Sequence, residues 1–512
     1  MAENQALFPP MMMKEIADHA PFNTFISSLK ASIRNAFHER DNIEKFIQQR
    51  GFPAPVWHDI MSANPLSVGI PEAYGGRGVK VRECLGVLET AAYESLPLSL
   101  IFGINIGLFL EPVGKYADES LKAGIFKRFL NNRNMGGLMI TEPDHGSDAL
   151  NMQTFNRKNG AYYDIQGTKH WQGLTGMADY WLMTSRASTD GRLGRDIDFF
   201  VCDTHQPEQR IEVEEYYNNM GLYPIPYGKN TVNIRVPEQN KLQPETTGLK
   251  LMMDLLHRSR FQFPGMGMGF IHRMLDEAIE HVTSRFVGGK SLMALDQVKH
   301  QISRIQSAFT ISSAMCARSA GHSGIENDLS PDAVEAGSIK SYLTDLMQES
   351  AQILTQLLGA NGYKAEHVGG RGIMDSRPFQ IFEGSNDMLY TQISEGVLKM
   401  MNKQKIVNLL DFFRSYPLTV QAADYFRSFL NFKVDVNLAQ RKLVDLGKII
   451  SKVIAANHVV VLGGKGFRAD LIQESLETIR HDITMLVSSY RFPTQTAPVV
   501  DYRDNSSWLD FS

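Results

Sequence analysis

Cysteine is scarce in this sequence. The chain of 512 residues has only three cysteines, far apart at Cys84, Cys202 and Cys316. Their spacing matches neither a metal site nor the disulfide framework of a small secreted domain. The pattern favours a reducing compartment, and we expect no disulfide and no metal site.

An excess of charge of either sign is also missing. Lys and Arg total 52 against 56 Asp and Glu, a formal net charge of -4, and both signs are spread along the chain. Nucleic-acid-binding domains usually carry a clustered positive excess, so no nucleic-acid partner is expected. A charged fraction of 21% and a hydrophobic fraction of 43% are typical of a soluble globular protein.

Long apolar runs are absent as well. No uninterrupted stretch approaches the roughly 18 residues that span a bilayer, and the nearest, 449–462, is broken by polar residues. Residues 1–10 include Glu3 and lack the basic start and apolar core of a secretory signal. We predict a cytoplasmic protein with no transmembrane segment.

The periodicity of the apolar residues changes along the chain. Helical spacing up to about residue 135 gives way to short alternating runs separated by Gly, Asp, Asn and Pro, and then returns. We predict a multidomain, mainly α protein with a central β domain, and the lack of βαβ alternation excludes a doubly wound nucleotide fold. The expected parts are an N-terminal helical domain, a β domain, a helical bundle and a helical extension, at 1–136, 137–248, 249–400 and 401–512. Short apolar or alternating runs predict strands at 137–141, 162–166, 180–185, 198–202 and 231–236. Helical spacing predicts helices at 269–286, 298–318, 333–358 and 388–401 in the bundle and at 406–413, 422–432, 436–461 and 470–490 in the extension.

One carboxylate near the end of the predicted bundle has suggestive neighbours. Glu383 lies between Phe382 and Gly384 in the stretch 380–387, Gln-Ile-Phe-Glu-Gly-Ser-Asn-Asp. The aromatic ring can shield the acid from water, and the glycine lets the backbone bend close to a ligand. These features indicate a base presented from a loop, although a helix end with a solvated Glu also fits this stretch alone.

Two segments of the β domain offer groups for a flat polar ligand. The stretch 141–148, Thr-Glu-Pro-Asp-His-Gly-Ser-Asp, leaves a predicted strand and supplies hydroxyls and free backbone N–H groups. The stretch 167–171, Gly-Thr-Lys-His-Trp, brings an indole to the end of the next strand. A simple turn and a core-filling Trp are the structural alternatives.

The bundle contains groups suited to a pyrophosphate. Residues 257–260 precede the glycine-rich stretch 264–269, which we interpret as the start of a long, closely packed helix. A glycine-rich helix start can bind phosphate, but no strand precedes it and the spacing does not fit a nucleotide fingerprint. Arg285, Gln297 and the loop 356–363 can supply charge, amides and a close backbone approach.

Together these motifs resemble those of the acyl-CoA dehydrogenase family. Five motifs match in order and separation: Pro-Glu-Ala-Tyr-Gly-Gly at 71–76, Thr-Glu-Pro-x-x-Gly-Ser-Asp at 141–148, Gly-Thr-Lys-x-Trp at 167–171, Gln-x-x-Gly-x-x-Gly-Tyr at 356–363 and Phe-Glu-Gly-Ser at 382–385. The resemblance implies an N-terminal helical domain, a β-barrel or sandwich middle domain and a C-terminal four-helix bundle, here followed by a helical extension.

The resemblance implies FAD as the cofactor and an acyl-CoA thioester as the substrate. In the family the thioester lies between the flavin and a catalytic Glu, so Glu383 would remove the α proton while the β hydrogen leaves as hydride to flavin N5. The product would be a trans-2-enoyl thioester, and an electron-transfer flavoprotein would reoxidise the flavin. Such a base needs a raised pKa, since that of an exposed Glu is about 4.3.

The resemblance assigns roles to further residues. Thr141 and Trp171 would contact the isoalloxazine, Ser147 would lie between flavin and CoA, and Ser385 and Asp387 would face the cofactor. The substrate would contact Ser147, Arg260, Glu383 and Gly384. The pyrophosphate and adenosine of FAD would be held across a dimer interface, by Arg285 and Gln297 of one subunit with Gln356 and Gly359 of the other.

Three positions depart from the family pattern. Gly173 stands where members usually have a flavin-bonding Ser or Thr, Gly288 where many have an aromatic residue, and Ala360 where a second glycine is usual. We still expect FAD to bind, with a less predictable flavin potential. Some members carry the base at the position of Ser259, which cannot act as a base, so Glu383 stands alone.

The extension leaves alternatives open. By size and place, 401–512 resembles the extra helices of long-chain members and acyl-CoA oxidases, where they cover a face used for tetramer contacts, so we predict a homodimer. An oxidase using O2, or a dehydrogenase of a carrier-protein thioester, would use the same base. A nucleic-acid-binding tail is disfavoured by its low positive charge. The apolar stretch 95–110, with Gly103 and Gly107, fits a deep acyl slot or close helix packing.

Overall fold

The structure is a computed structural model that describes residues 19–435, 437–492 and 497–512. Its elements follow the predicted order of helices, sheet and helices, so the fold class is confirmed. The three cysteines are free, as expected. Residues 1–10, for which we predict no secretory signal, lie outside the described residues. Residue 436, the first of the helix predicted at 436–461, also lies outside them. The domain boundaries stay predictions.

Helices form the N-terminal domain, because its apolar residues recur with helical spacing and bury one face. They are α1 (Phe22–Arg34), α2 (Ile43–Phe46), α3 (Ala54–Met61), α4 (Val81–Glu94), α5 (Leu96–Asn105), α6 (Glu111–Tyr116) and α7 (Glu119–Asn132). A Cβ on Gly103 would lie 3.3 Å from Met266 Sδ, and one on Gly107 would lie 2.8 Å from Gln262 Oε1. These contacts favour close helix packing over an open acyl slot at both glycines.

A mixed sheet forms the middle of the chain. Its strands are β1 (Gly136–Met139), β2 (Phe155–Asn159), β3 (Tyr162–His170), β4 (Tyr180–Thr189), β5 (Arg192–Leu193), β6 (Asp198–Asp203), β7 (Glu212–Tyr216) and β8 (Gly228–Pro237). The order is β1-β4-β2-β3-β8-β7, with β5 and β6 paired to β4. Strand β4 runs parallel to β1 and β2, and the other pairs are antiparallel.

A buried ion pair joins the segment after β1 to the end of β3. Lys169 is fully buried, and its Nζ donates to Glu142 Oε1 at 2.8 Å and to Ile140 O and Thr184 Oγ1, both at 3.0 Å. Glu142 also accepts the backbone N–H of Thr154 at 3.0 Å. Burial lowers the pKa of Lys169 to about 8, because loss of hydration outweighs the attraction to Glu142.

The second helical part begins with a helix longer than predicted. Its elements are α8 (Gly248–Ser284), a hairpin of β9 (Phe286–Val287) and β10 (Lys290–Ser291), α9 (Asp296–His322), α10 (Ala333–Leu358), α11 (Val368–Ser376) and α12 (Asn386–Gln404). The glycine-rich stretch lies in the middle of α8, so its interpretation as a helix start is wrong. The glycines instead allow α8 and α4 to cross in close contact. A Cβ on Gly265 would lie 2.7 Å from Leu85 O of α4, and one on Gly269 would overlap Glu89 O.

The extension packs on the bundle. It contains α13 (Leu409–Ser415), α14 (Arg427–Leu430), α15 (Gln440–Gly464) and α16 (Ala469–Arg491), so the helix expected at 422–432 is much shorter than predicted. Asp482 of α16 pairs with Arg304 of α9 at 2.9 Å and with Lys452 of α15 at 2.8 Å. Helix α15 also contacts α12 closely, because a Cβ on Gly447 would overlap the carbonyl oxygen of Tyr390.

Two helical stretches of the described chain are long and apolar enough to span a membrane, judged by length and composition alone. They are Leu96–Tyr116 and Gln440–Gly464, and 94% and 67% of their most apolar windows are buried in the fold. Core helices of water-soluble proteins meet the same criteria. The absence of a transmembrane segment therefore stays a prediction.

The contact between α15 and α12 can be tested with a matched pair of substitutions. Gly→Ala in a helix normally favours the helix by about 1 kcal/mol. At Gly447 the new methyl would overlap the Tyr390 carbonyl, so Gly447→Ala should lower the free energy of unfolding by about 1–3 kcal/mol. The control is Gly464→Ala, where no atom lies within 4 Å of the new Cβ. Urea unfolding followed by circular dichroism measures both, and equal stabilities would contradict the contact.

The buried ion pair of the β domain predicts a second difference. Lys169→Met would leave Glu142 charged and unpaired in the interior, so the free energy of unfolding should fall by about 3–5 kcal/mol. Adding Glu142→Gln should restore part of the loss, because the buried charge is gone. The control, Lys158→Met, breaks an exposed pair with Glu238 and should change stability little. Similar losses in both single variants would refute the assignment.

Candidate active site

The loop that carries Glu383 has an unusual backbone. Residues 381–385 connect the helical turn Arg377–Gln380 to α12. Glu383 has a φ of 53° and Gly384 a φ of 90°, so two consecutive residues have left-handed conformations. This conformation costs a non-glycine residue about 1–2 kcal/mol, whereas glycine adopts it freely. The loop therefore holds Glu383 in a conformation that needs support from its surroundings.

Helices α8 and α10 supply that support. Ser259 Oγ donates to Glu383 Oε1 at 2.8 Å, and Arg260 Nη2 donates to the backbone oxygen of Glu383 at 2.9 Å. Lys340 Nζ donates to the backbone oxygen of Gly384 at 2.8 Å. Glu383 Oε2 is shielded from solvent and has no hydrogen-bond partner within the described part of the chain. One carboxylate oxygen is thus fixed and the other is free to react.

Burial controls the protonation of this cluster. It raises the pKa of Glu383 above the ordinary value, and the Ser259 hydrogen bond and the charges of Arg260 and Lys340 offset only part of the rise. Burial also lowers the pKa of Lys340 to about 7, against the attraction of Glu383. A carboxylate with a raised pKa accepts a proton more readily than an exposed one, as a general base requires.

An aromatic cluster lies beside Glu383. The ring centroid of Phe382 is 4.9 Å from that of Phe379 and 6.1 Å from that of Phe263. Phe263 and Phe379 are fully buried, at 1% and 0% exposure. This packing gives the residue preceding Glu383 the apolar surroundings that the sequence suggested.

Thr141 and Trp171 lie on neighbouring segments of the β domain. The backbone oxygen of Thr141 accepts the N–H of His170 at 3.0 Å, which places Trp171 one residue from this contact. Trp171 has a φ of 62° and is 51% exposed, and its ring lies 4.4 Å from that of Tyr217. The two ring planes are tilted by 47°, so the exposed indole alone offers a flat apolar face, and this face fits one side of a flavin.

The remaining predicted cofactor residues lie at or near the surface of the single chain. Arg285 directly precedes the β9–β10 hairpin, and Gln297 lies in the first turn of α9. Gln356 and Gly359 lie at the end of α10. Ser385 is partly exposed, and the exposed residues are Ser147, Arg285, Gln297, Gln356, Gly359 and Asp387. This placement suits groups that act together with a second subunit, and their roles stay predictions.

Each of the three departures has a local explanation. A Cβ on Gly173 would lie 2.8 Å from Ile104 Cδ1, so Ser or Thr does not fit there without a shift. Gly359 has a φ of 62°, whereas Ala360 lies in a 3-10 turn and needs no glycine. Gly288 has a φ of 58° at the tip of the β9–β10 hairpin, with open space around it. Trp171 presents an exposed ring one residue from the contact with Thr141, so the residues present fit FAD.

Sequence reasoning missed part of the site. It gave Ser259 no function and did not consider Lys340, although both contact the loop of the base. A signal was present for Lys340, since a lone Lys among small and apolar residues on a predicted helix is seldom buried without a partner. The Glu and Lys within the two β-domain motifs also form the buried pair Glu142–Lys169.

Family models match three consecutive parts of the chain. The N-terminal domain of acyl-CoA dehydrogenases matches residues 27–133, the middle domain 137–233 and the C-terminal domain 246–398. Together they cover well over half of the 512 residues.

Known proteins agree with these matches. An acyl-CoA dehydrogenase of Bacillus subtilis (strain 168) is 24% identical over 339 residues, 65% of this chain and 86% of that protein. The crystal structure of an acyl-CoA dehydrogenase complexed with FAD from Bacillus anthracis has a TM-score of 0.75 at 15% identity and covers 94% of this chain and 92% of its own. A prolyl acyl carrier protein oxidase has a TM-score of 0.66 at 18% identity, covering 74% and 100%. With the family's three domains present in order, the chain belongs to the acyl-CoA dehydrogenases, FAD-dependent oxidoreductases that act on CH–CH groups.

Proposed function

We propose that this enzyme converts an acyl-CoA thioester to the trans-2-enoyl-CoA and that Glu383 is the base. The observation that carries the proposal is the solvent-shielded Oε2 of Glu383, on a carboxyl whose pKa is raised by burial. A C–H bond next to a thioester is a very weak acid, and an exposed carboxylate with a pKa of about 4.3 is a poor base for it. Burial brings Glu383 closer to the basicity that the reaction needs.

The free oxygen of Glu383 takes the proton. The Cα–H bond breaks and its proton binds Oε2, while its electron pair forms the α,β double bond as a hydride leaves Cβ. The bound FAD supplies the acceptor for that hydride. Ser259 keeps the opposite oxygen, Oε1, hydrogen-bonded and so aims Oε2 at the substrate.

Arg260 and Lys340 hold the backbone around the base. They bind the carbonyl oxygens of Glu383 and Gly384, which fixes the loop from two helices. Their positive charges also favour the ionised form of Glu383, and this limits the rise of its pKa. We assign the backbone N–H of Glu383 to the thioester oxygen, where it would stabilise the negative charge that develops as the proton leaves.

Two alternative activities would use the same base: an oxidase that uses O2 and a dehydrogenase of carrier-protein thioesters. The proposed electron acceptor is an electron-transfer flavoprotein, and the alternative is O2. Fast reoxidation of the reduced enzyme in air, followed by stopped flow, would identify an oxidase.

The fold likeness to a prolyl acyl carrier protein oxidase supports a carrier-protein thioester as the second substrate candidate. Rates with matched CoA and carrier-protein thioesters decide between these substrates. A cytoplasmic location remains a prediction from the sequence.

The proposed assembly is a homodimer. Large apolar side chains are exposed beside the predicted pyrophosphate residues: Phe286 at 61%, Val287 at 58% and Tyr363 at 87%. Clustered exposed apolar groups mark interaction surfaces. Light scattering coupled to size exclusion should give twice the 57.5 kDa mass of one chain. The mass of a tetramer would contradict the prediction.

The assignment of the base is tested by anaerobic flavin reduction with a panel of acyl-CoA thioesters. Glu383→Gln keeps the size of the side chain and an oxygen for Ser259, but it cannot take up the proton. Flavin bleaching should slow by about 10²–10⁴-fold, which is the usual contribution of a general base. In the wild type the rate should fall as the pH drops through the raised pKa of Glu383, because only the ionised form is a base.

Glu395→Gln is the control for this experiment. Glu395 is an exposed carboxylate on α12, the helix that follows the loop. The control should bleach at the wild-type rate, and both variants should retain FAD. Undiminished bleaching in Glu383→Gln would overturn the assignment.

A further inference from the structure

We propose that Asp345 positions the catalytic base by holding both ends of the loop 381–385, and that the C-terminal extension supports this hold from outside. The inference rests on the proposed function and deepens it, because the position of the loop matters for catalysis only if Glu383 is the base. Asp345 lies on α10 and belongs to none of the sequence motifs. Its hydrogen bonds go to the residues that flank the loop, so it is a positioning residue.

One carboxylate oxygen of Asp345 joins the two ends of the loop. Gln380, the last residue before the loop, donates Nε2 to Asp345 Oδ1 at 2.6 Å. Asn386, the first residue after it, donates Nδ2 to the same oxygen at 2.8 Å. The other oxygen, Oδ2, accepts the hydroxyl of Tyr390 at 2.6 Å. The Asp345 side chain therefore fixes the distance between Gln380 and Asn386, which the five loop residues span.

Lys340 extends this network to the base itself. Its Nζ donates to Asn386 Oδ1 at 3.0 Å as well as to Gly384 O at 2.8 Å. Asn386 Nδ2 also donates to the backbone oxygen of Ser341 at 3.0 Å. Both atoms of the Asn386 amide are thus held by α10, and the same lysine binds the residue that follows Glu383.

The extension holds the outer partner of Asp345. Helix α15 meets α12 at Tyr390, where the backbone of Gly447 lies against the Tyr390 carbonyl. One turn further along α12, Ser394 Oγ donates to Leu443 O of α15 at 2.6 Å. Tyr390 is 2% exposed and cannot move without disturbing this contact. The extension therefore fixes Tyr390, whose hydroxyl orients Asp345.

The loop needs such a hold because its own conformation is unfavourable. Glu383 and Gly384 both have left-handed backbones, and a non-glycine residue keeps that conformation only where the surroundings impose it. A released loop would relax and let water reach the carboxylate. The charged groups that act on Glu383 are Arg260 of α8 and Lys340 of α10. The charge of Asp345 in turn raises the pKa of Lys340. Asp345→Asn removes this charge but keeps the acceptor, and Gln380→Ala leaves all three charges in place.

Four substitutions test the proposal. Asp345→Ala removes the acceptor that both loop ends share. Asp345→Asn is the conservative variant, because its amide oxygen can still accept from Gln380 and Asn386. Gln380→Ala removes the hydrogen bond from the residue before the loop, at a partly exposed position. It serves as the test variant if Asp345→Ala does not fold. Glu349→Ala is the control, since Glu349 lies on the same helix and pairs with Arg304 of α9.

Two measurements on the full-length holoenzyme provide the readout. Hydrogen exchange of the peptide that contains the loop should become about tenfold faster or more in Asp345→Ala, because the loop opens locally. The pH midpoint of flavin reduction by an acyl-CoA should move to lower pH, and the rate should fall by about 10–100-fold, since the base is hydrated and misplaced. Gln380→Ala should show smaller changes in the same direction. Asp345→Asn and Glu349→Ala should stay close to the wild type.

A purely structural role would give a different result. Unchanged loop exchange and an unchanged pH midpoint in Asp345→Ala and Gln380→Ala would overturn the proposal, whatever happens to the melting temperature. Equal effects in Glu349→Ala would overturn it as well. If no thioester bleaches the wild-type flavin, the proposed function fails. The exchange measurement needs no substrate and then still decides whether Asp345 holds the loop.

Discussion

The proposed base must be ionised before reaction and yet be shielded from water, and the candidate site depends on this constraint. Burial alone favours the protonated form of Glu383, whereas full hydration would make the carboxylate a weaker base. The structure meets both demands with one hydrogen bond to Oε1 and two nearby cations, Arg260 and Lys340. Each pKa unit corresponds to about 1.4 kcal/mol, so small displacements of these groups change the basicity of Glu383 noticeably.

Ion pairs with at least one buried partner also join elements elsewhere in the molecule. Lys169 and Glu142 connect the two segments that present Trp171 and Thr141, and Glu335 of α10 binds Arg318 of α9 at 2.7 Å. Such pairs add little net stability compared with apolar residues of similar size, because desolvation opposes their attraction. Their geometry is directional, however, and each pair joins separate elements.

Much of the fold followed from sequence periodicity, and the failures have physical causes. Helix α10 was predicted with its observed bounds, 333–358, because its apolar residues recur without interruption. Strands β2 and β7 were missed, since Phe-Asn-Arg-Lys-Asn and Glu-Val-Glu-Glu-Tyr lack the apolar alternation of a half-buried strand. The glycines of α8 were taken for a helix start, because sequence alone does not show that another helix crosses there.

Some residues of the candidate site can be predicted from local sequence motifs, and others cannot. Local motifs predict Glu383 and Trp171 as site residues, and the neighbours of both in sequence also shape their surroundings. Ser259 and Asp345 act through contacts between residues 124 and 35 positions apart, and no local pattern encodes such a pairing. The resemblance to a family supplied the groups that are predicted to face the cofactor and the substrate. It did not supply the groups that hold them in place.

Close contacts at glycine explain how such distant residues meet with hydrogen-bond accuracy. Ser259 and Glu383 must lie within a few tenths of an ångström of their positions for a bond of 2.8 Å to form. Helices separated by long side chains can shift by more than this as rotamers change. Here α8 meets α4 at Gly265 and Gly269, and α12 meets α15 at Gly447, with no side chain between the backbones. Contact between rigid backbones fixes the helices that carry or adjoin the groups proposed to react, and the extension takes part in it through the contact of α15 with α12.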